Sequence, residues 1–105
     1  MDHDSPAHVD ARRRFFRDGR LRDLPRRHGA RGPVLDLVAA SVLDEGEHVD
    51  ERQLTERLAG VVDDPVLMRR LLVDSGRVHR TADGSDYWLG QVPPEPTPTT
   101  GTADV

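Results

Sequence analysis

The sequence of 105 residues predicts a mainly α-helical domain with a C-terminal β-hairpin, of winged helix-turn-helix type. Three observations carry this expectation. Helical apolar periodicity recurs in four segments between Pro6 and Ser75, each with its own start signal. After Gly76 the period changes from helical to alternating. An Asp83-Gly84 pair then separates two alternating runs, which is a strong short-range hairpin signal.

The elements follow in order. Ser5-Pro6 supplies an N-cap and a proline at the first helical position. A helix from Pro6 to about Arg17 stacks Val9 over Phe16 and Ala11 over Phe15, and Asp18-Gly19 ends it. Leu21 and Leu24 anchor the irregular run from Arg20 to Pro25. Residues 26 to 32 read as a polar connection. Pro33 opens a second helix to about Leu43, with Val34, Leu35, Val38, Ala39 and Val42 as its apolar stripe. Asp50 and Gln53 form a capping-box variant at the start of a third helix, whose inner face carries Leu54, Leu58 and Val61. Asp64-Pro65 starts a fourth helix that runs to Ser75. A 100° wheel puts Leu67, Met68, Leu71 and Leu72 inside, and Val66, Arg69, Arg70 and Val73 outside. Gly76 takes the left-handed stop.

A two-residue turn at Asp83-Gly84 pairs Arg80 with Tyr87, His79 with Trp88 and Val78 with Leu89. The His79–Trp88 pair lies on the opposite face from the other two. Residues 1–5 and the Pro/Thr-rich run 91–105 have the composition of disordered segments, which leaves 6–90 as the domain.

Composition bounds the function. Apolar residues make up 35% and charged residues 32%, with a mean hydropathy of −0.64. No apolar run approaches the roughly 20 residues of a membrane span. No basic stretch leads into an apolar one near the start, so a cytoplasmic location is expected. Cysteine is absent, which excludes disulfides, thiolate metal sites and a Cys nucleophile. The net charge is −4, but residues 9–31 carry nine Arg and three Asp, whereas residues 32–105 carry six Arg and fourteen acids. The basic segment fits a polyanion or an acidic partner, or the acidic half of its own chain.

Two stretches resemble a known family. Phe15-Phe16-x-Asp18-Gly19-Arg20-Leu21-x-x-Leu24-Pro25 resembles the opening signature of an uncharacterised bacterial family, domain of unknown function 2087. Leu67-x-Arg69-Arg70-x-Leu72-Val73-Asp74-x-Gly76, then Arg80 and Asp83-Gly84-x-x-Tyr87-Trp88, resembles its closing signature. The chain departs from the family pattern at Val49, where an aromatic is usual, and at Thr55, where an Asn is usual. The family has no established activity. The joining of some members to helix-turn-helix regulators implies a transcriptional setting, by association alone.

No catalytic or metal-binding constellation emerges. The five His, at 3, 8, 28, 48 and 79, make no metal-ligand spacing. The serines offer no nucleophile elbow, Asp63-Asp64 reads as a turn and an N-cap, and the chain has no Lys for a phosphate loop. Neither an enzyme nor a cofactor is expected.

Direct binding of double-stranded DNA is the first functional expectation. The second helix of the pair would enter the major groove with Arg69 and Arg70. Arg80 on the wing, with Arg26, Arg27 and Arg31 upstream, would add phosphate contacts. Against this stand Asp63 and Asp64 at the helix start, the lack of an outward Asn, Gln or Ser, and an i,i+4 partner for Arg70 in Asp74. The alternative is a protein-interaction module that uses the Val66/Arg69/Arg70/Val73 face, or Trp88 on the wing. In a third arrangement the N-terminal helix, with Phe15 and Phe16, covers those valines. A small-ligand sensor lacks a polar pocket signature, and the sequence leaves the oligomeric state open.

Overall fold

The computed structural model describes residues 5–25 and 28–90. Helix α1 spans Pro6–Phe15. Ser5 caps it in extended conformation, its Oγ accepting the His8 N–H at 3.3 Å. The helix ends two residues short of the expected Arg17, because Phe16 and Arg17 form a strand, β1 (Phe16–Arg17). β1 pairs antiparallel with β2 (Arg20–Leu21). Asp18 and Gly19 take φ of 56° and 78°. Two positive φ values in a two-residue loop are what a type I′ turn requires, so this Asp-Gly makes a hairpin rather than a stop.

Helix α2 spans His28–Val42 and begins five residues before the expected Pro33. Pro33 therefore lies inside the helix, where its ring cannot donate to the i−4 carbonyl. Strand β3 (His48–Val49), α3 (Glu51–Ala59) and α4 (Pro65–Asp74) follow. Asp50 and Gln53 make the expected capping box in full: each side chain takes the other residue's backbone N–H. Asp64 caps α4 by accepting the Leu67 N–H at 3.1 Å.

Strands β4 (Val78–Arg80) and β5 (Tyr87–Leu89) form the hairpin in the expected register. The turn differs. Only Gly84 has a positive φ, and its N–H bonds to the Thr81 carbonyl, so the ladder closes over a four-residue loop. β3 adds to the far side of β5, giving sheet order β3-β5-β4, all antiparallel. The architecture is thus mixed rather than mainly α: four helices, roughly half of the described residues, with two small antiparallel sheets.

Nearly every element gives the core a side chain. Ala11, Leu21, Val34, Val38, Val49, Leu54, Leu58, Met68, Leu72, Val78 and Tyr87 are all buried. Among the described residues no polar or charged residue is buried with them, and no helix is long and apolar enough to cross a membrane. The β1–β2 hairpin packs on the turn between α3 and α4. The Leu21 N–H donates to the Val61 carbonyl at 2.7 Å. The Arg20 guanidinium reaches the Ala59 and Val62 carbonyls and Asp63 Oδ1.

Candidate interaction surface

The orientation of α4 decides what this surface can do. Met68 and Leu72 are buried, Leu71 is half-buried, and Leu67 is 46% exposed. The inner face is therefore centred on Met68 and Leu72, about 50° round the wheel from the expected centre. That rotation separates the two arginines. Arg69 turns toward α3, where its side chain is only 15% exposed; it donates to Thr55 Oγ1 at 2.6 Å and lies 3.4 Å from Glu51. Arg70 is exposed and has no hydrogen bond or ion pair among the described residues, Asp74 included. Arg69 is thus neutralised inside the helix pair, contrary to the outward placement read from the wheel. Nothing local in the sequence marked Glu51 as its partner.

Val66 is 48% exposed, and Val73 is half-buried against the core. α1 packs on α2, not over these valines. An open cleft of about 180 Å³ runs beside Leu67, between the Leu21–Leu24 segment and α4. Leu21, Leu24, Leu67, Met68 and Leu71 form its apolar floor and walls; Arg22, Asp23, Asp63 and Asp64 stand at its rim. Of the three large apolar side chains more than a third exposed among the described residues, Leu67 sits here, Val66 lies on α4 outside the lining, and Val9 lies on α1. Sequence reasoning read Leu24 as an anchor and Leu67 as core, so the cleft was missed.

The β4–β5 hairpin carries a second group. Trp88 is half-buried on the outer face of the sheet. It stacks on His48 of β3 with centroids 5.0 Å apart, and His79 of β4 lies on its other side at 6.0 Å. His48 Nδ1 is 2.8 Å from Asp86 Oδ2. The His79 pairing was expected; His48 arrives only through the two-residue strand β3. Arg80 is exposed, but its guanidinium donates to the Thr81 and Ala82 carbonyls of its own loop. In that loop Asp83 accepts from Thr81 and from both the hydroxyl and N–H of Ser85. Chiefly the Ser85 bonds lower its pKa from 3.8 to about 2.

Of the upstream candidates, Arg31 is half-buried and its Nε has no hydrogen-bond partner. Arg26 and Arg27 lie outside the described residues, as do residues 1–4 and 91–105.

Two polar networks tie the elements together. Ser5 Oγ lies 2.5 Å from His8 Nδ1, His8 Nε2 lies 2.8 Å from Asp36 Oδ2, and Arg77 Nε donates to Asp36 Oδ1 at 2.5 Å. The order Ser-His-Asp resembles a nucleophile relay. Here Ser5 is a helix cap, and Asp36 bridges α1 to Arg77 at the root of β4. Farther along, Arg57 grips both Glu47 oxygens at 2.8 Å and the Val42 carbonyl at 2.9 Å, closing the α2–β3 loop on α3. The Arg57 bonds, then the Asp44 N–H, lower the Glu47 pKa from 4.5 to about 2. Among the described residues no group of three or more His, Asp or Glu is placed to hold a metal ion.

The model of a family described as an uncharacterized protein conserved in bacteria (DUF2087) matches residues 20–89, two thirds of the chain. The match starts at Arg20, five residues after Phe15, where the resemblance begins, so α1 and β1 precede it. Neither the search of curated proteins nor the search of solved structures gave a match.

Proposed function

The chain belongs to this uncharacterised bacterial family, DUF2087, and for this member we propose a non-enzymatic regulatory domain of winged-helix type that docks a protein partner on the α4 cleft. The chain order supports the type. β3 falls between α2 and α3 yet pairs with the last strand, which leaves β4–β5 as a wing beside the α3–α4 pair. One observation carries the docking: Leu67 is 46% exposed and lines an open, largely apolar cleft. Asp23 and Asp64 at its rim complement a partner segment with apolar side chains flanked by basic groups.

Double-stranded DNA is the second reading, favoured by the same topology and by the exposed Arg70; it fits a cytoplasmic, transcription-associated setting. It is the weaker one, because Arg69 is engaged by Glu51 and Thr55, Arg80 by its own loop, and two carboxylates stand at the start of α4.

The test is an NMR titration of the full chain with an amphipathic helical peptide, about 15 residues long, carrying Leu at i, i+3, i+4 and i+7 and Arg on its flanks. Amide shifts should concentrate at Leu24, Leu67 and Leu71. They should vanish with Leu67→Asp and with a peptide whose Leu are replaced by Ser. Shifts that survive both changes, or none at those amides with the parent peptide, overturn the reading.

A further inference from the structure

We propose that the arginines of α1 and the β1–β2 turn, not those of α4, form a contact surface for the phosphate backbone of a nucleic acid. The basic segment has few internal partners. Arg14 bonds Asp10 at 3.3 Å and lies over the Phe15 ring, and Arg20 is held by Asp63 and the end of α3. Arg12, Arg13, Arg17 and Arg22 are exposed and make no side-chain hydrogen bond or ion pair among the described residues. The free carboxylates beside them are those of Asp18 and Asp23. The described residues of the acidic half therefore give these four guanidiniums no partner.

Two features point to a function for this charge. Arg17 stands directly across the strand pair from Arg20, and like charges in that position oppose folding. Three further arginines follow one another at 12, 13 and 14. Asp63 offsets Arg20, but Arg12, Arg13 and Arg17 have no compensating contact among the described residues, and uncompensated charge of one sign is expected at a working surface.

The chemistry favours phosphate over an acidic protein. Guanidinium forks match phosphate and carboxylate oxygens alike, so the surroundings of the arginines decide between the two. Protein interfaces also need an apolar centre. Here the only large apolar side chain more than a third exposed, among the described residues, is Val9, while the other two lie on α4. The charge distribution sets the approach. Residues 9–31 sum to +6 and residues 32–105 to −8, so the basic segment is the part of the chain that attracts a polyanion.

The experiment is fluorescence anisotropy of the full chain with two labelled duplexes of unrelated sequence, from about 50 to 200 mM salt. Both duplexes should bind alike, with affinity falling steeply as salt rises. In the triple variant Arg12→Ala, Arg13→Ala, Arg17→Ala the log–log slope should flatten by about 0.9 for each phosphate that is no longer neutralised. Arg52→Ala, on the far side of α3, should behave as the parent. Circular dichroism of the triple variant should match the parent, since all three side chains are exposed. Four outcomes overturn the proposal: no binding at the lowest salt; a triple variant that binds as the parent; loss of binding in Arg70→Ala, Arg80→Ala instead, which moves the binding surface to α4; or displacement of duplex by polyglutamate as readily as by unlabelled duplex, which makes the partner an acidic protein. None of these reads the cleft, so this test and the peptide titration fail independently.

Discussion

Removing the Asp36 carboxylate should loosen α1 and β4 together. Asp36 accepts from Arg77 Nε on one oxygen and bonds His8 Nε2 with the other. The three side chains are 26%, 18% and 14% exposed, so the bonds are partly shielded from water. A hydrogen bond to a charged group contributes about 1.5–3 kcal/mol net. Residual exposure lowers that figure, so Asp36→Ala should cost about 2–3 kcal/mol in total. For a domain of this size, that corresponds to a Tm fall on the order of 10–20 °C. Asp36→Asn keeps a carbonyl acceptor for Arg77 and should cost about half as much. His8→Ala and Arg77→Ala should each lose part of the same energy, so a His8/Asp36 double-mutant cycle should show at least ~0.5 kcal/mol of coupling. In hydrogen exchange, α1 amides should lose protection before those of α3. A Tm within about 2 °C of the parent in Asp36→Ala, measured beside urea unfolding, would show that Ala11 and Phe15 alone hold α1 and that the bridge adds nothing.

Further outcomes follow from single positions. A Cβ on Gly90 would lie 2.5 Å from both the Gly76 carbonyl oxygen and His79 Nε2; the imidazole can swing away and the backbone cannot. Gly90→Ala should cost about 1–3 kcal/mol in urea unfolding, and adding His79→Ala should restore only part of it. Glu47 and Asp83 have folded pKa values lowered to about 2, so both stabilise the fold above the ordinary carboxylate range. That stabilisation is lost as pH falls from about 4.5 toward 2, and acid titration of Glu47→Gln should show a shallower loss over that window. Gly19→Ala places a side chain at φ 78° and should destabilise by about 1 kcal/mol. The single tryptophan reports the β3-β5-β4 sheet: His48→Ala removes the ring stacked on Trp88, so emission should shift to the red, as read in the fluorescence spectrum.

Elements that carry their own local signal could be read directly. The capping box at Asp50-Gln53, the Asp64-Pro65 start and the β4–β5 register all depend on residues close in sequence. Misreadings arose where two sites share one signal. Both Asp18-Gly19 and Asp83-Gly84 are hairpin dipeptides. Positive φ at both residues occurs in the first, whereas Thr81 and Asp83 organise a longer loop around the second. Pro33 reads as a helix start, yet the helix tolerates it one turn inside. β3 spans two residues, too few to show a period, so the third strand and the His48–Trp88 stack were invisible. On α4, Leu67, Met68, Leu71 and Leu72 fill an arc of about 140°. Periodicity cannot say which part of such an arc is covered. The core covers the Met68–Leu72 side, and this turned Arg69 toward Glu51 and left Leu67 at the cleft.

The matched span contains the whole cleft but only part of the proposed arginine surface, since Arg22 lies inside it. Arg20 is both its first residue and the side chain that fastens the β1–β2 hairpin to the α3–α4 turn. Every residue lining the cleft, from Leu21 to Leu71, falls inside that span. Arg12, Arg13 and Arg17 fall before it, on elements the family match does not include. A property common to the family has to be built from residues the family model covers, so the cleft is the candidate for a shared role. The full arginine surface therefore needs a comparable α1 and β1, with Arg22 its one free arginine inside the span. Asp36 and Arg77 lie within the span, while His8, the third member of their network, does not. A family member without α1 should therefore retain the Asp36–Arg77 bond and the cleft, while any duplex binding it shows should have a shallower salt slope than that of this chain. If such a member bound duplex with the same salt slope, the phosphate contacts would have to lie inside residues 20–89, and the assignment to α1 would fail.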